Sequence, residues 1–185
     1  MNQRNARTIS FSALILLAAS LAPRPAGAGV ETAAQFANEF SAICIANVDQ
    51  FIKVESMAAA QSWQVLGKNM AILQAPAEPK ALYKTWRKHE PDGTFIIISI
   101  AEYRKNGESS RVCAVGAMDL IYDRARERLL TTQKLTEVHD SVIGDDHIHE
   151  WTMTAPSGEV TIDYMTPQGE TRGPAKLYIY TKAKK

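Results

Sequence analysis

From Glu31 onward apolar side chains return every three or four positions, at Ala33, Phe36, Ala37, Phe40, Ile43, Cys44 and Val48. That step builds one apolar stripe along a helix, and Cys44 lies on the stripe, facing the body of the domain. Asp49 is placed to cap a second helix running to about Trp63. Its run Met57-Ala-Ala-Ala60 suits close packing against a flat surface. From Gly67 to Pro79 the pattern breaks. Pro76 and Pro79 exclude a helix there, and Met70 to Leu73 is at most a short strand.

Extended segments follow. Lys80–Lys88, Thr94–Arg104 and Ser110–Ala117 read as strands, and the continuous apolar run Phe95-Ile-Ile-Ile98 suits a central one. Pro91-Asp92-Gly93 and Asn106-Gly107 supply the turns between them. Arg111, Cys113, Val115 and Ala117 alternate onto one face of the third strand. Covered by the first helix, that face brings Cys113 to Cys44. Asp119 caps a third helix over Leu120–Leu130, whose charged residues Arg124, Arg126, Glu127 and Arg128 form its wet side. After a loop around Val142-Ile-Gly144 come three more strands, Asp146–Thr154, Glu159–Met165 and Ala175–Thr181, set apart by Pro156-Ser-Gly158 and by the Pro/Gly-rich stretch Pro167–Pro174. Short turns between neighbours imply antiparallel pairing. The expectation is an α+β domain: a mostly antiparallel sheet of about six strands, two N-terminal helices, and one helix between two groups of three strands.

The first 28 residues do not belong to that pattern. Arg4 and Arg7, an apolar stretch from Phe11 to Ala22, and Ala26-Gly27-Ala28 together read as a secretory signal peptide. The apolar run is short of the ~20 residues that cross a bilayer, so no membrane anchor is expected after cleavage. Residues 29–185 then form a single domain, periplasmic or secreted. The leader carries Arg4, Arg7 and Arg24 and no acid, so its loss moves the formal charge from +1 to −2 (18 bases against 20 acids). A near-neutral domain lacks the basic footprint of nucleic-acid binding.

The oxidising destination also decides how the two cysteines are read. Cys44 and Cys113 are the only ones, no CxxC is present, and an exported pair is expected to bond.

Candidate chemistry concentrates in Asp145-Asp146-His147-Ile148-His149-Glu150, with His139 and Asp140 just before it. On a strand, His147 and His149 project to the same side and can present two imidazoles to one metal ion, with Asp146 or Glu150 completing the set. Met153 continues that face and suits a soft metal. The plainer reading is a strand start with solvent-facing polar residues, and Trp151 on the same face points to packing. Nucleophile elbow, P-loop, dinucleotide fingerprint and zincin helix are all missing, so no catalytic residue is assigned. Glu102 and Asp163 read as outward-facing strand residues sooner than as general acids. The aromatic residues on strands, among them Trp86, Trp151, Tyr164, Tyr178 and Tyr180, are either ordinary strand residues or a ligand surface.

A phenylalanine-rich first helix carrying Cys44, then Asp49, an alanine-rich second helix ending in Trp63, and a strand-borne Cys113 resemble a group of small secreted proteins seen chiefly in proteobacteria. The likeness covers about the first half of the mature chain. It implies export and a cysteine pair, and it assigns no catalytic residue; the His147/His149 segment lies outside it. The functional expectation is therefore a non-enzymatic exported domain that binds a small ligand or a protein, with no cofactor. The alternative is a metal-binding protein or metal-dependent enzyme built on His147 and His149.

Overall fold

The computed structural model describes residues 28–67, 82–90, 93–105, 108–156 and 158–182. Residues 1–27 (all but the last residue of the expected signal peptide), the segment Met70–Leu73 and the Asn106-Gly107 turn lie outside these. Helix α1 (Ala28–Phe40) runs directly into a π-helical turn, Ser41–Ile45, and α2 spans Ile52–Ala60. Strands β1 (Gln64–Val65), β2 (Leu82–His89), β3 (Phe95–Lys105) and β4 (Glu108–Ile121) lead into α3 (Tyr122–Thr132). Then come β5 (Thr136–Ile143), β6 (Asp146–Ala155), β7 (Gly158–Pro167) and β8 (Arg172–Lys182). All eight strands form one antiparallel sheet in the order β1-β2-β3-β4-β8-β7-β6-β5.

The α+β class holds, with eight strands among the described residues in place of about six. Two were hidden in the sequence. β1 is only two residues long, and Thr136–Ile143 is exposed along most of its length, so it carries no buried face to alternate. The helix limits also move. α2 begins at Ile52 with no side-chain cap, so Asp49 does not cap it. It stops short of Trp63 because Ser62 turns to φ 55, with Ser62 N–H on Ala59 O and Trp63 N–H on Ala58 O, the hydrogen-bond pair of a Schellman C-cap. Asp119 does not cap α3 either. Its carboxylate accepts both arms of the Arg172 guanidinium at 2.6 and 2.9 Å, beside the register shift between β4 and β8.

One face of the sheet carries the helices, with α1 packed on β4 and α3. Ile98, Ile100, Cys113, Val115, Leu177 and Ile179 meet Phe36, Phe40, Ile43, Leu129 and Ala125 there. Cys44, carried by the π turn, bonds Cys113 at the centre of that face, and both are fully buried. Asn47 closes the turn by donating to Ile43 O at 2.9 Å and Ala42 O at 3.1 Å, which satisfies carbonyls a helix end leaves open. Along the C-terminal half of α1, Lys88 lies between Glu39 (2.6 Å) and Glu90 (2.8 Å), and Gln35 donates to Glu90.

Register carries this face outward in a single row: Trp86, Ile98, Val115, Leu177, Tyr164, His149 and Asp140 stand opposite one another in turn. The first five are buried. At His149 and Asp140 the apolar core ends and a polar site begins.

Candidate metal centre

Asp140, His147 and His149 are held by one hairpin. Gly144, at φ 64, makes the tight turn that folds β6 back on β5, a conformation glycine adopts without penalty. The pleat then does the rest. Asp140 is directly opposite His149, and Val142 is opposite His147, so Asp140 sits diagonal to His147 on the same face. His147 Nε2 is hydrogen-bonded to Asp140 Oδ1. His149 Nδ1 lies 3.4 Å from Asp140 Oδ2, and the two imidazole centroids are 4.3 Å apart. One ligating atom from each residue falls within 4.8 Å of the other two, and among the described residues this is the single such group of histidine, cysteine and acid side chains.

The electrostatics suit ligation. Burial alone would raise the Asp140 carboxyl; the hydrogen bond with His147 and the neighbouring His149 and Arg126 charges outweigh it and hold the group below the usual carboxylate range. Burial pushes His149 down, against the pull of Asp140, with His147 and Arg126 acting in the same downward direction. The aspartate is therefore ionised and His149 neutral near pH 7, the forms a metal ion binds. His149 Nδ1 is also buried and makes no hydrogen bond. Its 3.4 Å approach to Asp140 is within ion-pair reach but lacks hydrogen-bonding alignment.

The surroundings fix the ring. His149 lies parallel to Trp151 and Tyr164, with centroids 6.0 and 6.2 Å away, and Tyr164 OH donates to Tyr122 O at the start of α3. From the same helix Arg126 Nη2 donates to Glu137 Oε2 at 3.3 Å.

The other residues expected at this site are placed elsewhere. Asp146 and Glu150 alternate with the histidines along β6 and face the opposite side of the sheet. Glu150 stands between Asp163 and His139 there. Met153 shares the histidine face but lies beyond Trp151, packed against the core. Asp140, named in the sequence only as lying just before the histidine segment, is the carboxylate that the fold brings to the histidine pair. Its signal was the tight Gly144 turn, which makes residues 140 and 149 partners once β5 is recognised as a strand.

Other candidate features separate from this cluster. Glu102 is paired with Arg111 at 3.2 Å. Asp163 is pushed up to about 6 by burial and by Glu150, against a hydrogen bond with Tyr180. Trp86, Trp151 and Tyr164 belong to the core, while Tyr178 and Tyr180 stack at 6.1 Å on the other face. Two cavities flank α2. One, of about 330 Å³, is lined by Asp49, Phe51, Ile100 and Arg111; the other, of about 420 Å³, by Ala58, Trp63, Lys84 and Trp86. Neither includes the histidine pair. No helix among the described residues is long and apolar enough to cross a membrane. No family model matches this chain, and no curated protein or solved structure matches it.

Proposed function

We propose that this chain is an exported domain whose function is to bind a transition-metal ion through Asp140, His147 and His149. The observation that carries this reading is the convergence of two imidazoles and one carboxylate within 4.8 Å, with His149 Nδ1 buried and lacking a hydrogen bond. An ion held ~2.1 Å from each ligand in a tetrahedral site sets them ~3.4 Å apart. His149 and Asp140 already stand at that distance, and His147 reaches it by exchanging its hydrogen bond to Asp140 for the metal. Two nitrogens and one oxygen favour zinc, copper, iron or nickel over calcium or magnesium. Thiolate chemistry is unavailable, because both cysteines are spent in the disulfide. Three protein ligands leave the ion an open position.

Export is supported by the pattern of residues 1–28 and agrees with a buried disulfide, which persists in an oxidising compartment. The resemblance to small secreted proteobacterial proteins points the same way.

The test is equilibrium dialysis of tag-free protein against zinc, copper and cobalt, followed by metal analysis. One ion per chain is expected, reduced at least about tenfold in occupancy by His147→Ala/His149→Ala. Substoichiometric metal that the double change leaves untouched would sink the proposal.

A further inference from the structure

Six buried side-chain nitrogen or oxygen atoms among the described residues make no hydrogen bond, and three of them gather at one corner: Arg126 Nε, His149 Nδ1 and Trp151 Nε1. Their neighbourhood follows from contacts already given. Arg126 Nη2 reaches Glu137, Glu137 stands directly opposite Trp151 in the β5–β6 register, and Trp151 lies parallel to His149. Guanidinium and indole N–H groups can only donate. Native proteins rarely leave buried donors unmet, and bulk solvent does not reach Trp151, which is 0 % exposed. Among the described residues no acceptor meets Arg126 Nε, the donor of this corner that lies beside the candidate ligands.

We infer that the metal centre takes a small oxyanion, a carboxylate or a phosphoryl group, with one oxygen on the ion and another on the Arg126 guanidinium. The inference rests on the metal-binding reading and adds the ligand class to it. Charge explains why the two go together. Asp140, Glu137 and Arg126 sum to −1 without a metal, which repels an anion; a divalent ion turns the sum to +1. A planar guanidinium matches the paired oxygens of a carboxylate or phosphate, and the open position of a three-ligand metal accepts one of them. Access is from the sheet edge, where the Asp140 and His147 side chains are 47 % and 36 % exposed and β5 is the last strand of the sheet among the described residues. Binding is then reciprocal: the anion tightens the metal by the same factor that the metal tightens the anion.

The experiment uses tag-free, cobalt-loaded protein, with acetate and methylphosphonate as separate probes and the cobalt visible spectrum as readout. A saturable spectral shift is expected with at least one probe, and which one responds tells a carboxylate site from a phosphoryl site. Metal-free protein, followed by calorimetry, is expected to bind neither. Arg126→Gln is expected to keep one cobalt per chain while weakening the anion at least tenfold, and Arg126→Lys, which keeps the charge and loses the fork, to fall between. Equal anion affinity in wild type and Arg126→Gln, or equal binding with and without metal, overturns the oxyanion site. Cobalt bound with no response to either probe overturns it while leaving the metal reading intact; failure to bind cobalt, zinc or copper overturns both. If Arg126→Gln loses its near-ultraviolet circular dichroism, Arg126→Lys alone decides, and an unchanged anion affinity in it counts against the site.

Discussion

Asp140 and His149 stand directly opposite each other on β5 and β6, with Asp140 Oδ2 3.4 Å from His149 Nδ1. Nine residues apart in sequence, they are joined by a hairpin whose turn hinges on Gly144. Asp140 is also the group that holds His147, so one carboxylate organises both imidazoles. Asp140→Asn keeps an acceptor for His147 but removes the negative charge of the proposed ligand. Metal affinity is expected to fall roughly 10–100-fold or more, with thermal stability of the metal-free protein little changed. Calorimetric titration beside a melting curve checks both halves.

The disulfide joins the π turn to the central strand β4 across 69 residues of chain. Closing a loop of that length restricts the denatured ensemble by ~4 kcal/mol in the chain-entropy picture, a large part of the 5–15 kcal/mol typical of a domain. Cys44→Ala/Cys113→Ala is expected to lower the free energy of unfolding by about that amount, read from urea denaturation. A loss below ~1 kcal/mol would mean that the open chain is already held together near these residues.

Asp163 gives the domain a pH dependence of definite sign. Its carboxyl is raised from 3.8 to about 6 in the folded protein, so the folded state keeps a proton that the unfolded chain has released. That contribution is complete below pH 3.8 and is lost as pH rises through about 6. The rise corresponds to ~3 kcal/mol at full strength, and partial access to water reduces it to roughly half. Asp163→Asn, which cannot ionise, is expected to stabilise the protein by about 1–2 kcal/mol at pH 8 and to leave stability near pH 4 unchanged. Unfolding curves at the two pH values decide it.

Gly173 marks where β8 meets the start of α3. It sits at φ 148, and a Cβ there would stand 2.7 Å from the Tyr122 hydroxyl, which donates to Pro174 O. Gly173→Ala is expected to destabilise by about 2 kcal/mol or more. In a Tyr122→Phe background the cost falls, because the clash is relieved while the backbone strain stays. A double-mutant cycle measures the difference.

Local pattern was enough for much of this protein. The three-and-four spacing of Phe36, Phe40 and Ile43 placed the first helix, and the run from Phe95 to Ile98 marked a strand of the sheet interior. Alternation at Arg111, Cys113 and Val115 put Cys113 on the face that α1 covers, so the Cys44–Cys113 bond could be read in advance. These features are legible because burial imposes a period on the chain, and a period survives in one dimension. The pairing of His147 with His149 was legible for the same reason, since two residues on one strand share a face whatever lies beside it.

What the tertiary structure decided is which carboxylate joins them. Asp146 and Glu150 are close in sequence but belong to the other face of β6, because the pleat reverses every second residue. Asp140 is farther away and becomes a neighbour only when Thr136–Ile143 pairs with Asp146–Ala155. That edge strand has no buried face and so leaves no hydrophobic alternation to read. Arg126 enters the same corner from α3, where the sequence offers only a charged helix side. The chain by itself set the existence of the helices, the class of fold and the histidine pair; the tertiary structure decided where the helices end, and the docking of β5 and α3 around that pair decided the third candidate ligand and the charge beside it.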